Sequence, residues 1–270
     1  MAKYKKKRAR ELKHDRFRDT TMGLVDRMGN RLEGKGKTIL YGLVGLVALG
    51  ALLMLFNSWR ARKNGEAAAA LGRAIRVAEA PVTTTPAPGS TAPTFTTERA
   101  RAEKAVEEFQ KVASNYGGST GEIARYFAAT NRLVLDPDKG MSELEALTKS
   151  GDQEVSTLAR FALAQAKESA GKLDDAAALY GELAKQNGNI ITADTANVRL
   201  AAVYEKQGKK AQAADILFNL VETARKAKGK DNKPVPQSAA VRQAAQQLEK
   251  LDPERYAKLS PLPLPDDFSS

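Results

Sequence analysis

From Thr38 to Trp59 the chain carries no charged side chain for 22 residues, and Ile39 to Phe56 is apolar, aromatic or glycine throughout. About 20 such residues suffice to cross a hydrocarbon core of roughly 30 Å as a helix. A helix buried in a globular core normally shows a polar face. This segment has none, so the pattern predicts a transmembrane helix over 38–59. Tyr41 and Trp59 lie near its two ends, where amphipathic rings favour the headgroup layer. The long basic segment before the run, and the run's own length, fit an uncleaved anchor rather than a cleaved signal peptide.

Beyond the anchor the periodicity changes. Over 66–250 apolar positions recur at spacings of three and four, alanine and straight-chain residues dominate, and no useful β alternation appears. In 98–116, Ala102, Ala105, Val106, Phe109, Val112, Ala113 and Tyr116 form one stripe. Breaks are expected at Gly117-Gly118, Asp136-Pro137, Gly151, Gly171, Asn187-Gly188 and Gly208. Residues 81–97 hold four prolines and seven threonines and predict an extended loop. The Pro-Leu alternation of 261–265 fits an extended tail over 251–270.

Charge divides the chain further. Residues 1–37 contain 13 basic and 5 acidic side chains, whereas 64–270 contain 27 of each sign. A cationic tail is retained on the cytoplasmic side, which places 1–37 in the cytoplasm, 38–59 across the bacterial inner (plasma) membrane and 60–270 in the periplasm. Residues 1–18 are expected to touch anionic lipid headgroups. The neutral remainder argues against a specific nucleic-acid surface.

The helices repeat in pairs. Leu163-Ala164, Gly171, Ala176 and Tyr180 superimpose on Leu200-Ala201, Gly208, Ala213 and Leu217 with a constant offset of 37. Small residues let paired helices approach, and a large residue one turn on fills the space between pairs. This spacing resembles the tetratricopeptide repeat over about 66–226, with 235–250 as a capping helix. It departs from that pattern at Arg160 and Asn197, which occupy the tryptophan slot, at Lys167 in the tyrosine slot, and in lacking the closing proline. The expected fold class is therefore all-α: one N-terminal transmembrane helix followed by a degenerate TPR-like α-solenoid over 60–250.

The whole layout resembles the YfgM-type ancillary subunits of the SecYEG translocon. Its marks are a basic tail with Leu12, Lys13, Asp15 and Phe17, one anchor, and a repeat domain of roughly 200 residues. That resemblance implies a periplasmic scaffold or accessory protein that binds Sec translocon subunits, periplasmic chaperones or unfolded clients. The groove positions of the repeat family fall on the first helix of each pair. Among them Arg125, Arg132, Phe161, Gln165, Val198 and Glu205 are the expected protein contacts. Phe161 and Val198 would supply apolar area, and the arginines would pair with acidic groups. Envelope assembly or cell division through the same repeats is the alternative, and a membrane-bound hydrolase is a remote one.

Chemistry finds little support. There is no cysteine and one histidine, His14. Thiolate sites, His-cluster metal sites and a Cys nucleophile are excluded, and a Ser-His-Asp triad has no histidine beyond the anchor. Gly34 to Thr38 resembles the end of a phosphate-binding loop, but Arg31 stands where its first glycine belongs, and no strand precedes it. Neither a catalytic residue nor a metal ligand is assigned, no cofactor is expected, and the protein is read as a non-enzyme.

Overall fold

A computed structural model of the chain describes residues 65–84, 93–186, 188, 190–229 and 233–262. The basic tail, the 38–59 segment, the middle of the Thr/Pro loop and the last eight residues lie outside the described residues. Among the described residues no helix is long and apolar enough to cross a membrane.

The described chain is all-helical, without a β-strand. Its helices are α1 (65–78), α2 (Glu98–Asn115), α3 (Gly118–Leu135), α4 (Pro137–Leu147), α5 (Gln153–Ser169), α6 (Leu173–Ala184), α7 (Ala193–Lys206), α8 (Lys210–Lys226), α9 (Ala239–Leu251) and the single turn α10 (Pro253–Tyr256). Helices α2 to α7 end at the breaks expected from the glycine and Asp-Pro signals. Each start has a local cause. Thr97, Asp136, Asp152, Thr192, Ser238 and Asp252 each accept a backbone N–H at the start of the following helix. Pro137 and Pro253 fit the first turns, where no amide partner is lost.

The 37-residue offset is visible in the backbone. Gly171 and Gly208 adopt φ of 74° and 75°. After each glycine, the N–H of Lys172 or Lys209 reaches back to Lys167 O or Tyr204 O at 2.8 Å. This is a Schellman closure, which needs a residue in the left-handed region and so favours glycine. The chain then re-enters a helix in the opposite direction.

The side chains at equivalent positions are interior. Ala164 and Ala201, Ala176 and Ala213, and Tyr180 and Leu217 are all at most 1% exposed. The core is not one mass but four overlapping clusters in chain order. The first joins α1, α2 and α3 around Phe109; the next joins α3, α4 and α5 around Leu144. Tyr180 centres the α5–α7 cluster, and Leu217 and Leu248 centre the one formed by α7, α8 and α9. Each helix thus buries its stripe against its chain neighbours, and first helices of successive pairs also meet, α3 on α5 and α7 on α9.

Two segments read as extended are tied down where they are described. The ends of the 81–97 loop pair through Thr83 N to Phe95 O (2.8 Å) and Phe95 N to Pro81 O (3.1 Å). Inside the tail, Asp252-Pro253 starts α10, Leu259 is buried, and Ser260 is held on α8. The cap-proline pair and one well-placed leucine are enough to order this stretch against the stack.

Candidate binding groove

The first helices α3 and α5 lie side by side. Along α5 and its C-cap, Ala162, Ala166 and Ala170 recur every fourth residue, so a row of methyl groups faces the neighbour. On α3, Tyr126, Thr130 and Leu133 face them from one stripe. The mismatch between short and long side chains leaves a cavity of about 540 Å³, closed at one end by Pro137 and Met141 of α4. None of its lining residues is charged. Burial pushes the Tyr126 hydroxyl above its ordinary pKa, so it remains a neutral donor. Chemically, such a groove can accept apolar side chains and satisfy one or two polar atoms through Gln165, Thr130 or Ser169.

Among the described residues no group of three or more acidic or histidine side chains is placed to hold a metal ion.

Comparison of the chain with family models, curated proteins and solved structures returns no match.

The six expected contact residues do not form one surface. Gln165 is exposed and lines the α3–α5 groove. Arg125 lines a second cavity, of about 290 Å³, between α2, α3 and α4; it pairs with Glu122 and keeps half its side chain in solvent. Arg132 is answered inside the fold: its Nε lies 2.9 Å from Glu143, and its side chain is only 13% exposed. Phe161 packs edge-on against Tyr180, with ring centroids 5.8 Å apart. Val198 is buried at 2% in the α7–α9 core, so its side chain supports the stack from within. Glu205 is exposed near the end of α7.

The strongest polar constellation is one step beyond these positions. Glu168, at the end of α5, is 8% exposed. Its Oε1 accepts from Lys206 Nζ at 2.7 Å. Its Oε2 accepts from Arg199 Nη2 at 3.0 Å and from the Tyr180 hydroxyl at 3.1 Å. The Arg199 guanidinium also lies 5.9 Å from the centre of the Tyr180 ring. Burial by itself raises the Glu168 pKa, but the Lys206 hydrogen bond, the Arg199 charge and the Tyr180 hydroxyl together outweigh it and hold the carboxyl below its ordinary value. Burial pushes Tyr180 up to about 12. One carboxylate therefore clamps three helices, α5, α6 and α7.

The α3–α5 groove was legible only in part. The repeat frame puts Gln165 on it, whereas Tyr126 and Met141 join through a register between hairpins that no local pattern states. The alanine row 162, 166, 170 was the available signal. Glu168 falls in the groove frame, but its cationic partners lie 31 and 38 residues away in sequence.

Proposed function

We propose that the protein is a membrane-anchored, TPR-like α-solenoid of the bacterial inner membrane whose periplasmic domain captures segments of other proteins. Residues 38–59 are the single span, with the N terminus in the cytoplasm. The α3–α5 groove is the capture site, with Gln165 as its polar contact and Arg125 on the neighbouring cavity for acidic groups. The layout resemblance directs the choice of partners to Sec translocon subunits and periplasmic chaperones or their clients. The observation that carries the reading is the pairing of an uncharged 22-residue run with a stack of helical hairpins that leaves an uncharged groove open between two first helices.

The reading is tested in two steps. In spheroplasts, external protease should digest the domain beyond residue 60 while the basic tail survives. A photo-crosslinking side chain at Gln165 should then join translocon subunits or periplasmic chaperones. Ala166→Trp fills the groove and should abolish those adducts while leaving the helical circular dichroism unchanged. A domain protected from protease, or adducts that survive Ala166→Trp, would overturn the assignment.

A further inference from the structure

One position of the repeat changes character along the stack. Ala128, Ala164 and Ala201 are the small residues of the first helices α3, α5 and α7, each at most 5% exposed. Three residues before them stand Arg125, Phe161 and Val198. Phe161 packs on Tyr180, and Val198 is buried in the α7–α9 core. In both hairpins an apolar side chain at this place joins the packing of the stack. In the α3–α4 hairpin the same place holds a cation that keeps half its side chain in solvent, and the cavity of about 290 Å³ between α2, α3 and α4 lies beside it. Ala113, Ala128, Ala146 and Leu147 give that cavity an apolar lining. Gln110 and Ala146 on its wall are exposed, so it opens to solvent. An apolar cavity of about 150 Å³ can hold a benzene ring, so this one has room for a leucine side chain.

The charges around the cavity favour an acidic neighbour for that side chain. Its lining carries Arg125 and Glu143, and one turn away on the same helices stand Glu107, Glu122, Arg132, Lys139 and Lys149. The immediate neighbours Lys111 and Glu145 cancel in sign, so cations remain one in excess. All three carboxylates of the first set are engaged within the fold. Glu107 is held by Lys104 at 2.8 Å and Lys111 at 2.6 Å, Glu122 by Arg125 and by the Ser150 hydroxyl at 3.2 Å, and Glu143 by Arg132 at 2.9 Å. Arg125 meets Glu122 through Nη1 alone, and the Nε–Nη2 edge of its guanidinium matches a second carboxylate.

We propose that this cavity anchors an extended segment of a captured protein in which a leucine lies two residues from an acidic side chain. Alternate side chains of an extended chain share a face. The leucine thus fills the space that Phe161 or Val198 fills from within in the later hairpins, while the carboxylate meets Arg125. Burial of the anchor supplies the affinity, and the half-exposed arginine supplies the choice of neighbour. The proposal rests on the capture reading above and gives its second cavity a ligand.

The test uses the full-length protein in phosphatidylcholine nanodiscs and blocked, dye-labelled glycine-serine peptides read by fluorescence anisotropy. One probe carries Glu-Ser-Leu-Ser-Glu, a second replaces its leucine by alanine, and a third replaces both glutamates by lysine. Wild type should bind the first at least about tenfold more tightly than either of the others. Arg125→Glu should invert the charge preference, favouring the lysine probe. Arg125→Phe copies the later hairpins, closes the cavity and should bind none of the probes, with circular dichroism unchanged. Ala166→Trp fills the α3–α5 groove instead and should leave the preference for the first probe intact. An Arg125→Glu protein that still prefers glutamate, or a wild type indifferent to the leucine, overturns the proposal. Binding kept by Arg125→Phe but lost in Ala166→Trp defeats this inference and leaves the groove standing. Loss of the Gln165 adducts with the Arg125-dependent preference retained defeats the groove and leaves this site.

Discussion

Glu168 is the residue on which the middle of the stack turns. Its carboxylate is nearly dry, but the cations that answer it are not: the Arg199 side chain is 36% exposed and that of Lys206 is 56% exposed. Removing one partner of a fully buried pair is severe, whereas exposed pairs contribute little, so an intermediate effect follows. Glu168→Gln should destabilise the domain by about 1–3 kcal/mol at neutral pH. The dependence on pH is more telling than the size. The folded carboxyl titrates below its ordinary value of 4.5. Its contribution is thus complete above the unfolded value and is lost as pH falls through the folded one, from about pH 5 downward. Glutamine cannot titrate. The difference in melting temperature between wild type and Glu168→Gln should therefore shrink steadily on acidification. Glu107 and Glu222, each held down to about 2 by lysine hydrogen bonds, give both proteins the same residual acid sensitivity. A difference that stays constant from neutral pH to strongly acidic conditions would show that the carboxylate's charge is not what joins α5, α6 and α7.

At the level of elements, most helices announce themselves and their contacts do not. The stripe Ala105, Phe109 and Val112 names the buried face of α2 before any fold is known, because helical periodicity is local. The glycines at 171 and 208 name the turns for the same reason. How closely two helices approach is decided across the gap, and Gly140 shows the difference. A methyl group added there would lie 2.7 Å from Leu133 N and 2.8 Å from its Cδ2, so α4 touches the backbone of α3 at this point. In the sequence its place 36 residues before Ala176 marks it as the small position of the hairpin, but no local pattern says that alanine, the better helix former, would not fit there. Gly181, in the body of α6, has open space where its methyl would go. The two substitutions should have opposite signs. Gly181→Ala should stabilise by about 0.5–1 kcal/mol through the smaller entropy lost on folding. Gly140→Ala should destabilise by about 1–3 kcal/mol, because the backbone of α3 must move. Urea melts of both variants against wild type decide the matter; a stabilised Gly140→Ala would mean that α3 and α4 are not in contact at that point. Similar reasoning explains why the order of residues 253–260 went unread. Asp252-Pro253 is a helix start on its own, but the worth of Leu259 and Ser260 depends on α8, more than 30 residues upstream.

The helical unit beyond residue 65 is built as a row of local clusters rather than around one core. Each of the four clusters draws on a helix that also serves the next, and few contacts skip a hairpin. In such an array stability is the sum of local terms and neighbour interfaces, so a defect should be felt near its own position. Leu144 and Leu248 make the comparison clean. Both are 0% exposed leucines, the first on α4 in the α3–α5 cluster and the second on α9 in the terminal one. Truncation to alanine should remove about 2–5 kcal/mol in either case. In hydrogen exchange, Leu248→Ala should speed amide exchange across α8 and α9 while α3 to α5 stay protected. Leu144→Ala lies mid-row and should loosen α3 to α5. It also puts the α3–α5 groove at risk, since Met141 and Leu133 lose their support. The proposed capture in the α3–α5 groove should therefore survive Leu248→Ala and fail in Leu144→Ala. Uniform loss of protection in both variants would instead mark a single cooperative unit, in which the groove and the Glu168 clamp stand or fall together.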